Sequence, residues 1–148
     1  MSHANFQVSL KLILVNKQKQ ILGLGVNSGC SFFGFYDLPG GRIDEEEIFL
    51  DFSKILKREI KEELGNIKFQ IEEKPITAVK YIVPGKFKDD KKDLPMMYVF
   101  FVARYISGKI KISHEHENFA WLSVNKNNVA KYFSQNYLNG VKKYLEEK

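Results

Sequence analysis

The segment MMYVFFVARY, residues 96–105, carries mainly apolar side chains on both alternating faces of an extended chain. A strand with this pattern is typical of the centre of a sheet, where other elements cover both faces. The chain must therefore supply cover for two faces, which predicts a layered fold with the sheet between helices.

Period-two alternation and turn residues predict further strands beside this central one. Residues 6–14 alternate in the manner of a half-buried strand, and residues 21–26 follow the turn-like stretch NKQKQ, which predicts a hairpin. The same signals predict strands at residues 67–73, 75–83 and 119–124.

Helical spacing of apolar residues predicts the covering elements. One helix is predicted over residues 50–64, with Gly65 as its C-cap. The tail, residues 127–145, is predicted to be helical, with Asn139 and Gly140 breaking or bending it. The sum is the α+β class, an α/β/α sandwich with a mixed β-sheet between helices.

Length and composition predict one domain over residues 1–148, since 148 residues with 44% hydrophobic content can bury a substantial core. The sequence has no run of 18 apolar residues and no secretory signal, so we expect a cytoplasmic protein without a membrane partner. The single cysteine, Cys30, excludes an internal disulfide and cannot by itself form a thiolate metal site. We interpret it as structural.

Charge favours an anionic partner, because the formal net charge is +5 and the pI is about 9.2. The lysines are spread along the chain, however, and their densest cluster, KFKDDKK at residues 86–92, is interrupted by acids. We interpret that cluster as a solvated loop rather than a nucleic-acid patch. The expected partner is therefore a small anion such as a nucleotide.

The predicted helix at residues 50–64 has acids where apolar residues should be. At roughly 100° per residue, Glu59 and Glu63 fall within the stripe formed by Leu56 and Ile60. The lysines of the same helix occupy the opposite side. The alternative is a solvated helix whose inward face lies elsewhere.

Buried acids of this kind need a positive partner. Glu59, Glu62 and Glu63 stand at i, i+3 and i+4, so their carboxylates cluster and repel one another. Arg58 can reach Glu62 one turn later, but one guanidinium cannot neutralise three carboxylates. A hard divalent cation that prefers oxygen ligands, Mg²⁺ or Mn²⁺, is the natural complement.

A second motif precedes the helix. Residues 38–43 read LPGGRI, a Pro/Gly turn that lets a ligand approach the backbone closely, and residues 44–47 are acidic. With REIKEELG at residues 58–65, these residues resemble the signature of the Nudix hydrolase family. That signature reads Gly, five residues, Glu, seven residues, Arg-Glu, apolar, any residue, Glu-Glu, any residue, Gly, apolar.

The chain departs from the signature in its spacing. Gly41 and Glu47 stand at the family distance, but ten residues instead of seven separate Glu47 from Arg58. Loops accept insertions more readily than a ligand-bearing helix does, so we predict that residues 48–51 form an extra loop or turn. The acids of the helix should then keep their register.

The other departure is small: the final apolar position is taken by Asn66, with Ile67 one residue later. The wider order of the chain resembles the family as well. Tyr36 precedes LPGG, a long apolar strand follows, and the acidic stretch HEHENFAW leads to a tryptophan and a terminal helix.

The resemblance implies a Nudix fold and assigns roles to residues. It implies a metal site for Mg²⁺, with Mn²⁺ as a substitute, whose ligands are the Gly40 carbonyl and the carboxylates of Glu47, Glu59, Glu62 and Glu63. Glu62 is implied as a further ligand or as the group that activates water. Arg58 orients the carboxylates, so the implied catalytic residues are Arg58, Glu62 and Glu63. Glu45 and Glu46 compete with Glu47 for the first acid position.

Other residues are candidates by position. The turn HEHE, residues 114–117, is interpreted as a surface turn rather than a second metal site, although Glu115 or Glu117 could assist the metal by family resemblance. Candidates for substrate binding are Tyr36, Arg42, Lys86 and Lys88. The aromatic residues Phe32, Phe33 and Phe35 suit a base-stacking surface or the core equally well.

The resemblance implies a Mg²⁺-dependent hydrolase that cleaves a diphosphate linkage in a nucleoside diphosphate derivative or nucleoside triphosphate. Two alternatives remain. One is an RNA 5′-end pyrophosphohydrolase, and the other is a nucleotide-sensing module of the same fold that has lost turnover. The sequence leaves the substrate and the oligomeric state open, and a homodimer is compatible with it.

Overall fold

The computed structural model describes residues 1–26, 34–87 and 89–147. Within these residues, eight strands form one mixed sheet. In chain order they are β1 (Gln7–Val15), β2 (Ile21–Gly25), β3 (Tyr36–Asp37), β4 (Gly40–Arg42), β5 (Lys68–Ile71), β6 (Thr77–Val83), β7 (Leu94–Ser107) and β8 (Phe119–Leu122). The helices are α1 (Phe52–Leu64), α2 (Val129–Tyr132) and α3 (Gln135–Glu147), and Glu45–Glu47 and Gly85–Phe87 form 3₁₀ turns.

The sheet is built around β1 and β7, which run parallel to each other over Gln7–Val15 and Met96–Arg104. The main path is β3-β2-β1-β7-β5, with β4 on β1, β6 on β7 and β8 on β2. The predicted hairpin is confirmed, since Val15 pairs with Ile21 across β1 and β2.

Helices cover both faces of this sheet, which confirms the predicted sandwich. Along β7, Phe101 and Ala103 belong to the core under α1, whereas Phe100 and Val102 belong to the core under α2 and α3. The apolar residues of α1 that enter the first core are Ile55, Leu56, Ile60 and Leu64. The segment that constrained the fold most is therefore a central strand covered on both sides.

The prediction for β1 was wrong in one respect. Its alternation predicted a half-buried strand, but the strand is buried on both faces, including Ser9 and Lys11, which are 2% and 6% exposed. The parallel partner β7 places β1 in the middle of the sheet, so its polar positions cannot reach solvent. Lys11 is buried with a carboxylate partner described below.

The boundaries of α1 define the position of the acids. The helix begins at Phe52 and continues to Leu64, and Gly65, with φ of 83°, donates its N–H to the carbonyl of Lys61. The predicted C-cap is confirmed. Residues 48–51 lie in a turn between the 3₁₀ turn and the helix.

The C-terminal helix breaks at a different place from the one predicted. Residues 133 and 134 separate α2 from α3, and Asn139 and Gly140 lie inside α3. Gly140 is needed for close packing, because a Cβ there would lie 2.5 Å from Cε1 of Phe100. The glycine therefore allows α3 to approach the sheet, and it does not end the helix.

The segment predicted to be a solvated loop, residues 86–92, lies in the connection from β6 to β7. This connection contains a 3₁₀ turn, and the N–H of Gly85 donates to Oδ1 of Asp93 at 2.8 Å.

None of the helices in the described part of the chain has the length and apolarity needed to span a membrane.

We expect Gly140→Ala to destabilise the protein by about 1–3 kcal/mol, because the added methyl group overpacks α3 against the buried Phe100 ring. In an unconstrained helix the same change would stabilise by up to about 1 kcal/mol. Urea unfolding measures the difference. Asn139→Ala, at the exposed neighbouring position, is the matched control and should be neutral or slightly stabilising. Equal effects of the two changes would contradict the packing role of Gly140.

Candidate metal and active site

Two glycines bring β4 into contact with the acids of α1. β4 pairs with β1, with Gly40 opposite Lys11 and Gly41 opposite Leu10. The Gly40 N–H donates to Oε1 of Glu63 at 2.6 Å, and a Cβ on Gly41 would lie 2.5 Å from the carboxylate of Glu59. Gly40 also has φ of 131°, and a side chain there would collide with the carbonyl oxygen of Leu10. The missing side chain at Gly41 therefore lets β4 meet α1, and the one at Gly40 lets β4 pair with β1.

The three helix acids differ in exposure. The side chain of Glu59 is 12% exposed and Glu63 is 6% exposed, whereas the side chain of Glu62 is 60% exposed. The lysines of α1 are all exposed. The helical phase inferred from the sequence is therefore correct, and the solvated-helix alternative is excluded for Glu59 and Glu63.

Arg58 holds the acidic groups around it. Its Nε and Nη2 donate to the two carboxylate oxygens of Glu47 at 2.5 and 2.6 Å, a bidentate pair. It also lies 2.9 Å from Glu59, 3.2 Å from Glu62 and 3.6 Å from Asp44. The hydrogen bonds from Arg58 lower the pKa of Glu47 despite its burial. One guanidinium thus contacts four carboxylates.

The structure distinguishes Glu47 from its neighbours. Glu45 and Glu46 are exposed, while the side chain of Glu47 is 8% exposed and also accepts the N–H of Asp44 at 3.0 Å. Of the three competing acids, Glu47 is the one joined to α1. Its carboxylate is occupied by Arg58.

The electrostatics of the buried pair leave negative charge uncompensated. Burial raises the pKa of Glu63 to about 7, although Lys11 and the Gly40 N–H act in the opposite direction. Burial also raises the pKa of Glu59 against the influence of Arg58. These carboxyls would be stabilised in their charged forms by an additional cation.

The sequence analysis missed a buried polar group beside Glu63. Nζ of Lys11 lies 3.2 Å from Oδ1 of Asp37 and 3.2 Å from the carbonyl oxygen of Leu38, and 5.3 Å from the centre of the Tyr137 ring. Burial alone would raise the pKa of Asp37, but Lys11, together with hydrogen bonds from His116 and Tyr137, lowers it to about 2. Lys11 occupies what looked like a solvent-facing position of β1, so no local signal marked it.

The surface-turn interpretation of residues 114–117 was wrong for His116. His114 and Glu117 are exposed, but the side chain of His116 is 7% exposed, with Nε2 3.3 Å from Oδ2 of Asp37. The residues form a turn, so the alternation of faces expected for a strand does not apply. The interaction with Asp37 is what draws His116 inward.

The inward turn of His116 creates a cluster of ligand-type atoms. One ligand atom from each of Glu63, Glu115 and His116 lies within 4.8 Å of the others. Nδ1 of His116 is buried and, among the described residues, has no hydrogen-bond partner. Glu117 is not part of this cluster. Two ligands at about 2.1 Å from one ion lie roughly 3–4 Å apart, so small side-chain adjustments would allow these groups to share an ion.

The predicted substrate-binding residues have different environments. Tyr36 is half-buried, and its ring lies over Gly23 and 6.2 Å from the ring of Tyr132. Arg42 is exposed and donates to Oε1 of Gln7 at 3.2 Å, and Lys86 is exposed in the connection from β6 to β7. Of the other candidates, Phe35 is half-buried, and the positions of Cys30, Phe32, Phe33 and Lys88 lie outside the described residues.

These residues fit a divalent cation. Glu63 is buried and shares a cluster of ligand-type atoms with Glu115 and with His116, whose Nδ1 has no hydrogen-bond partner among the described residues. Glu59, with a side chain 12% exposed, and the exposed Glu62 add carboxylates on the same helix. Oxygen and nitrogen ligands of this kind suit a divalent cation.

Comparisons with known proteins agree with the fold. The model of the NUDIX domain family matches residues 6–142. No curated protein matches the chain. Among solved structures, a MutT protein from Methanosarcina mazei Go1 has a TM-score of 0.69 at 19% identity, covering 99% of this chain and 98% of that one.

Two further solved structures share the fold. The dihydroneopterin triphosphate pyrophosphohydrolase of E. coli has a TM-score of 0.69 at 14% identity, covering 97% of this chain and 99% of that one. The NUDIX domain of Shewanella oneidensis NrtR, solved with ADP ribose, has a TM-score of 0.69 at 17% identity, covering 98% and 90%. At these identities the likeness concerns the fold alone.

We expect Glu47→Gln to lower the free energy of unfolding by about 1–3 kcal/mol at pH 7, because Arg58 loses its bidentate ionic partner. Glu46→Gln, at the exposed neighbouring position, is the control and should change it by less than about 0.5 kcal/mol. Urea unfolding at several pH values measures both.

The pH dependence follows from the lowered pKa of Glu47. Its contribution is present above the unfolded-state pKa of about 4.3 and is lost as pH falls through the lower folded-state value. The gap between wild type and Glu47→Gln should therefore shrink below about pH 4.3. A gap that stays constant to pH 2 would contradict the ionic pairing.

Proposed function

This chain belongs to the NUDIX domain family, and from that premise we infer that it is a pyrophosphohydrolase. We propose that it cleaves a diphosphate linkage in a nucleoside diphosphate derivative or a nucleoside triphosphate, with a divalent cation as cofactor. The observation that carries the proposal is the pair Glu59 and Glu63, whose little-exposed carboxylates lie against Gly41 and Gly40 with too little positive charge nearby. A single domain over residues 1–148 and a cytoplasmic location stay predictions.

We propose that the cation is held by the carboxylates of Glu59, Glu62 and Glu63 and the carbonyl of Gly40. When bound, it would neutralise diphosphate oxygens and lower the pKa of a water molecule. The raised pKa of Glu63 supports this assignment, because it reflects a buried carboxyl that lacks a sufficient counter-charge.

The other residues of the site have supporting roles in this proposal. Arg58 fixes the orientation of Glu59 and Glu62, and Glu47 fixes Arg58, which makes Glu47 a positioning residue instead of a direct ligand. Glu62 is the most exposed of the three helix acids and is therefore best placed to accept a proton from the attacking water. Lys11 and Asp37 hold the buried side of the site rigid.

The substrate side of the proposal is broader. We propose that Tyr36 and Arg42, with Lys86 and Lys88 of the connection from β6 to β7, contact parts of the substrate away from the reacting phosphorus. A nucleotide-sensing module without turnover would not need a complete set of helix acids, and Glu59, Glu62 and Glu63 are all present. This completeness favours the enzyme.

The imidazole of His116 bears on which cation is preferred. Because Nε2 lies against Asp37, a neutral ring would keep its proton on Nε2 and leave the Nδ1 lone pair available to a metal ion. Metal-bound histidines commonly have a carboxylate on the other ring nitrogen. Imidazole suits transition-metal ions better than Mg²⁺, so we propose that His116 joins the carboxylate ligands when Mn²⁺ is bound and that Mn²⁺ binds more tightly than Mg²⁺.

We expect Glu63→Gln to lower turnover by at least about 100-fold while the unfolding temperature holds or rises, because a neutral amide needs no counter-ion. Phosphate or pyrophosphate release from a nucleotide panel, with and without Mg²⁺ and Mn²⁺, measures the activity. Glu146→Gln, an exposed acid on α3, is the control. Unchanged turnover in Glu63→Gln, or full activity in chelator, would disprove the assignment.

We expect His116→Gln to weaken Mn²⁺ binding by roughly tenfold and to change Mg²⁺ binding little. Electron paramagnetic resonance of free Mn²⁺ measures its affinity, and competition with Mg²⁺ gives the second value. His114→Gln, an exposed histidine two residues away, is the matched control and should leave both affinities unchanged. If both histidine variants keep wild-type Mn²⁺ affinity, the imidazole is not a ligand.

A further inference from the structure

Asp37 joins parts of the chain that are distant in sequence and meet beside the candidate metal site. Its Oδ1 accepts from Nζ of Lys11 at 3.2 Å and from the backbone N–H of Leu38 at 2.7 Å. Its Oδ2 lies 3.3 Å from Nε2 of His116, and Tyr137 also hydrogen-bonds to the carboxylate. Asp37 therefore connects β3, to which it belongs, with β1, with the turn before β8 and with α3.

The two oxygens of Asp37 have different tasks. Oδ1 is held by an ammonium and a backbone N–H, which can only donate, whereas Oδ2 faces a ring nitrogen that can donate or accept. Burial opposes ionisation of Asp37, but Lys11 and the hydrogen bonds to the carboxylate lower its pKa to about 2. The ionised group can only accept, so the proton of a neutral His116 ring is fixed on Nε2.

The fixed tautomer determines what the other ring nitrogen of His116 can do. Nδ1 is buried and has no hydrogen-bond partner among the residues that the structure describes. One ligand-type atom of His116 lies within 4.8 Å of those of Glu63 and Glu115. A ring nitrogen with a free lone pair can bind a metal ion, whereas a ring nitrogen that carries the proton cannot. Asp37 therefore decides whether the imidazole is available as a ligand.

We propose that Asp37 is the positioning residue that sets the cation preference of this site, with Lys11 and the Leu38 N–H fixing its orientation. Asp37 acts through the imidazole and not as a ligand. By keeping the proton on Nε2 it adds a nitrogen ligand, which Mn²⁺ accepts more readily than Mg²⁺. The inference rests on the proposed function, in which His116 joins the carboxylates when Mn²⁺ is bound. It assigns the choice of cation to a residue outside the ligand set.

Asp37→Asn tests the proposal because it reverses one end of the contact while keeping its shape. The amide oxygen should stay with the two donors at Oδ1, which turns the amide nitrogen, a donor, toward Nε2 of His116. Tyr137 does not decide this orientation, since a hydroxyl can donate or accept. The proton of the neutral His116 ring should then move to Nδ1.

Nitrogen NMR of the metal-free, histidine-labelled protein measures where the proton lies, independently of activity. We would record it at about pH 9, well above the ordinary imidazole pKa of about 6.5. His116→Gln identifies the signal among the three histidines of the chain. Asp51→Asn, the same chemical change at an exposed position, is the matched control and should leave the proton on Nε2.

The affinities for the two cations give a second readout. Asp37→Asn should weaken Mn²⁺ binding about tenfold, as His116→Gln does, and should change Mg²⁺ binding less than about twofold. Electron paramagnetic resonance of free Mn²⁺ and competition with Mg²⁺ measure these values. The two changes combined should bind Mn²⁺ as His116→Gln alone does, because both remove the same ligand. Equal weakening of both cations, additive with that of His116→Gln, would show a general loss of structure and overturn the proposal.

A second variant guards against misfolding, because Asp37→Asn leaves the buried Lys11 without its ionic partner. Lys11→Met combined with Asp37→Asn removes that charge, and the Leu38 N–H still holds the amide oxygen. This variant should show the same movement of the proton and the same loss of Mn²⁺ affinity.

The outcomes separate this inference from the proposed function. A proton that stays on Nε2 in both Asp37 variants would overturn the inference, and so would a moved proton with wild-type Mn²⁺ affinity. Either result leaves the proposed function standing if the wild-type chain binds Mn²⁺ and loses its hydrolytic activity in chelator. A wild-type chain that binds neither cation would overturn the proposed function, and this inference with it.

Discussion

The close approach of β4 to α1 is the constraint on which the candidate site depends. A helix that carries acids on its inward side must either separate from the sheet or meet it where the backbone can offer hydrogen-bond donors. Gly40 provides such a donor to Glu63, and Gly41 leaves the space that the carboxylate of Glu59 occupies. A side chain at Gly41 would push the helix away, and one at Gly40 would separate β4 from β1 and so displace the N–H that Glu63 accepts. The apolar residues of α1 can pack on the sheet only because this polar contact is satisfied at the same time.

The balance of charge around this contact explains why a cation is the expected partner. Arg58 is shared among four carboxylates, and Lys11 is engaged by Asp37 and the carbonyl of Leu38. Neither cation is dedicated to Glu63, whose pKa is accordingly raised to about 7 by burial. The protein thus fixes the positions of its buried acids without neutralising them. This is the arrangement that a site needs if its charge is to be completed by a metal ion and an anionic substrate.

The sequence was sufficient to predict a strand or the inward face of a helix where the local pattern agrees with the tertiary environment. The two-sided apolar pattern of β7 identified the centre of the sheet, and helical phase placed Glu59 and Glu63 inward correctly. The sequence was insufficient to predict the burial of a side chain where a partner distant in the chain decides it. Lys11 is buried because β1 pairs with β7, and His116 is drawn in by Asp37, which is 79 residues away in the chain. Gly140 was misread for the same reason, since only the position of Phe100 shows why a glycine is required there.

The pairing of Glu47 with Arg58 also explains how an exposed apolar turn at residues 48–51 can lie next to acids whose positions are fixed. Ten residues separate the two side chains in sequence, and these ten include the exposed turn at residues 48–51 and the first half of α1. The bidentate ion pair joins the two ends of this stretch directly. Because the ends are joined, the turn between them can change in length and composition without altering the register of the acids that follow Arg58. Exposed apolar residues such as Ile48 and Phe49 can therefore lie on one side of this ion pair, while the acids on the other side keep their geometry.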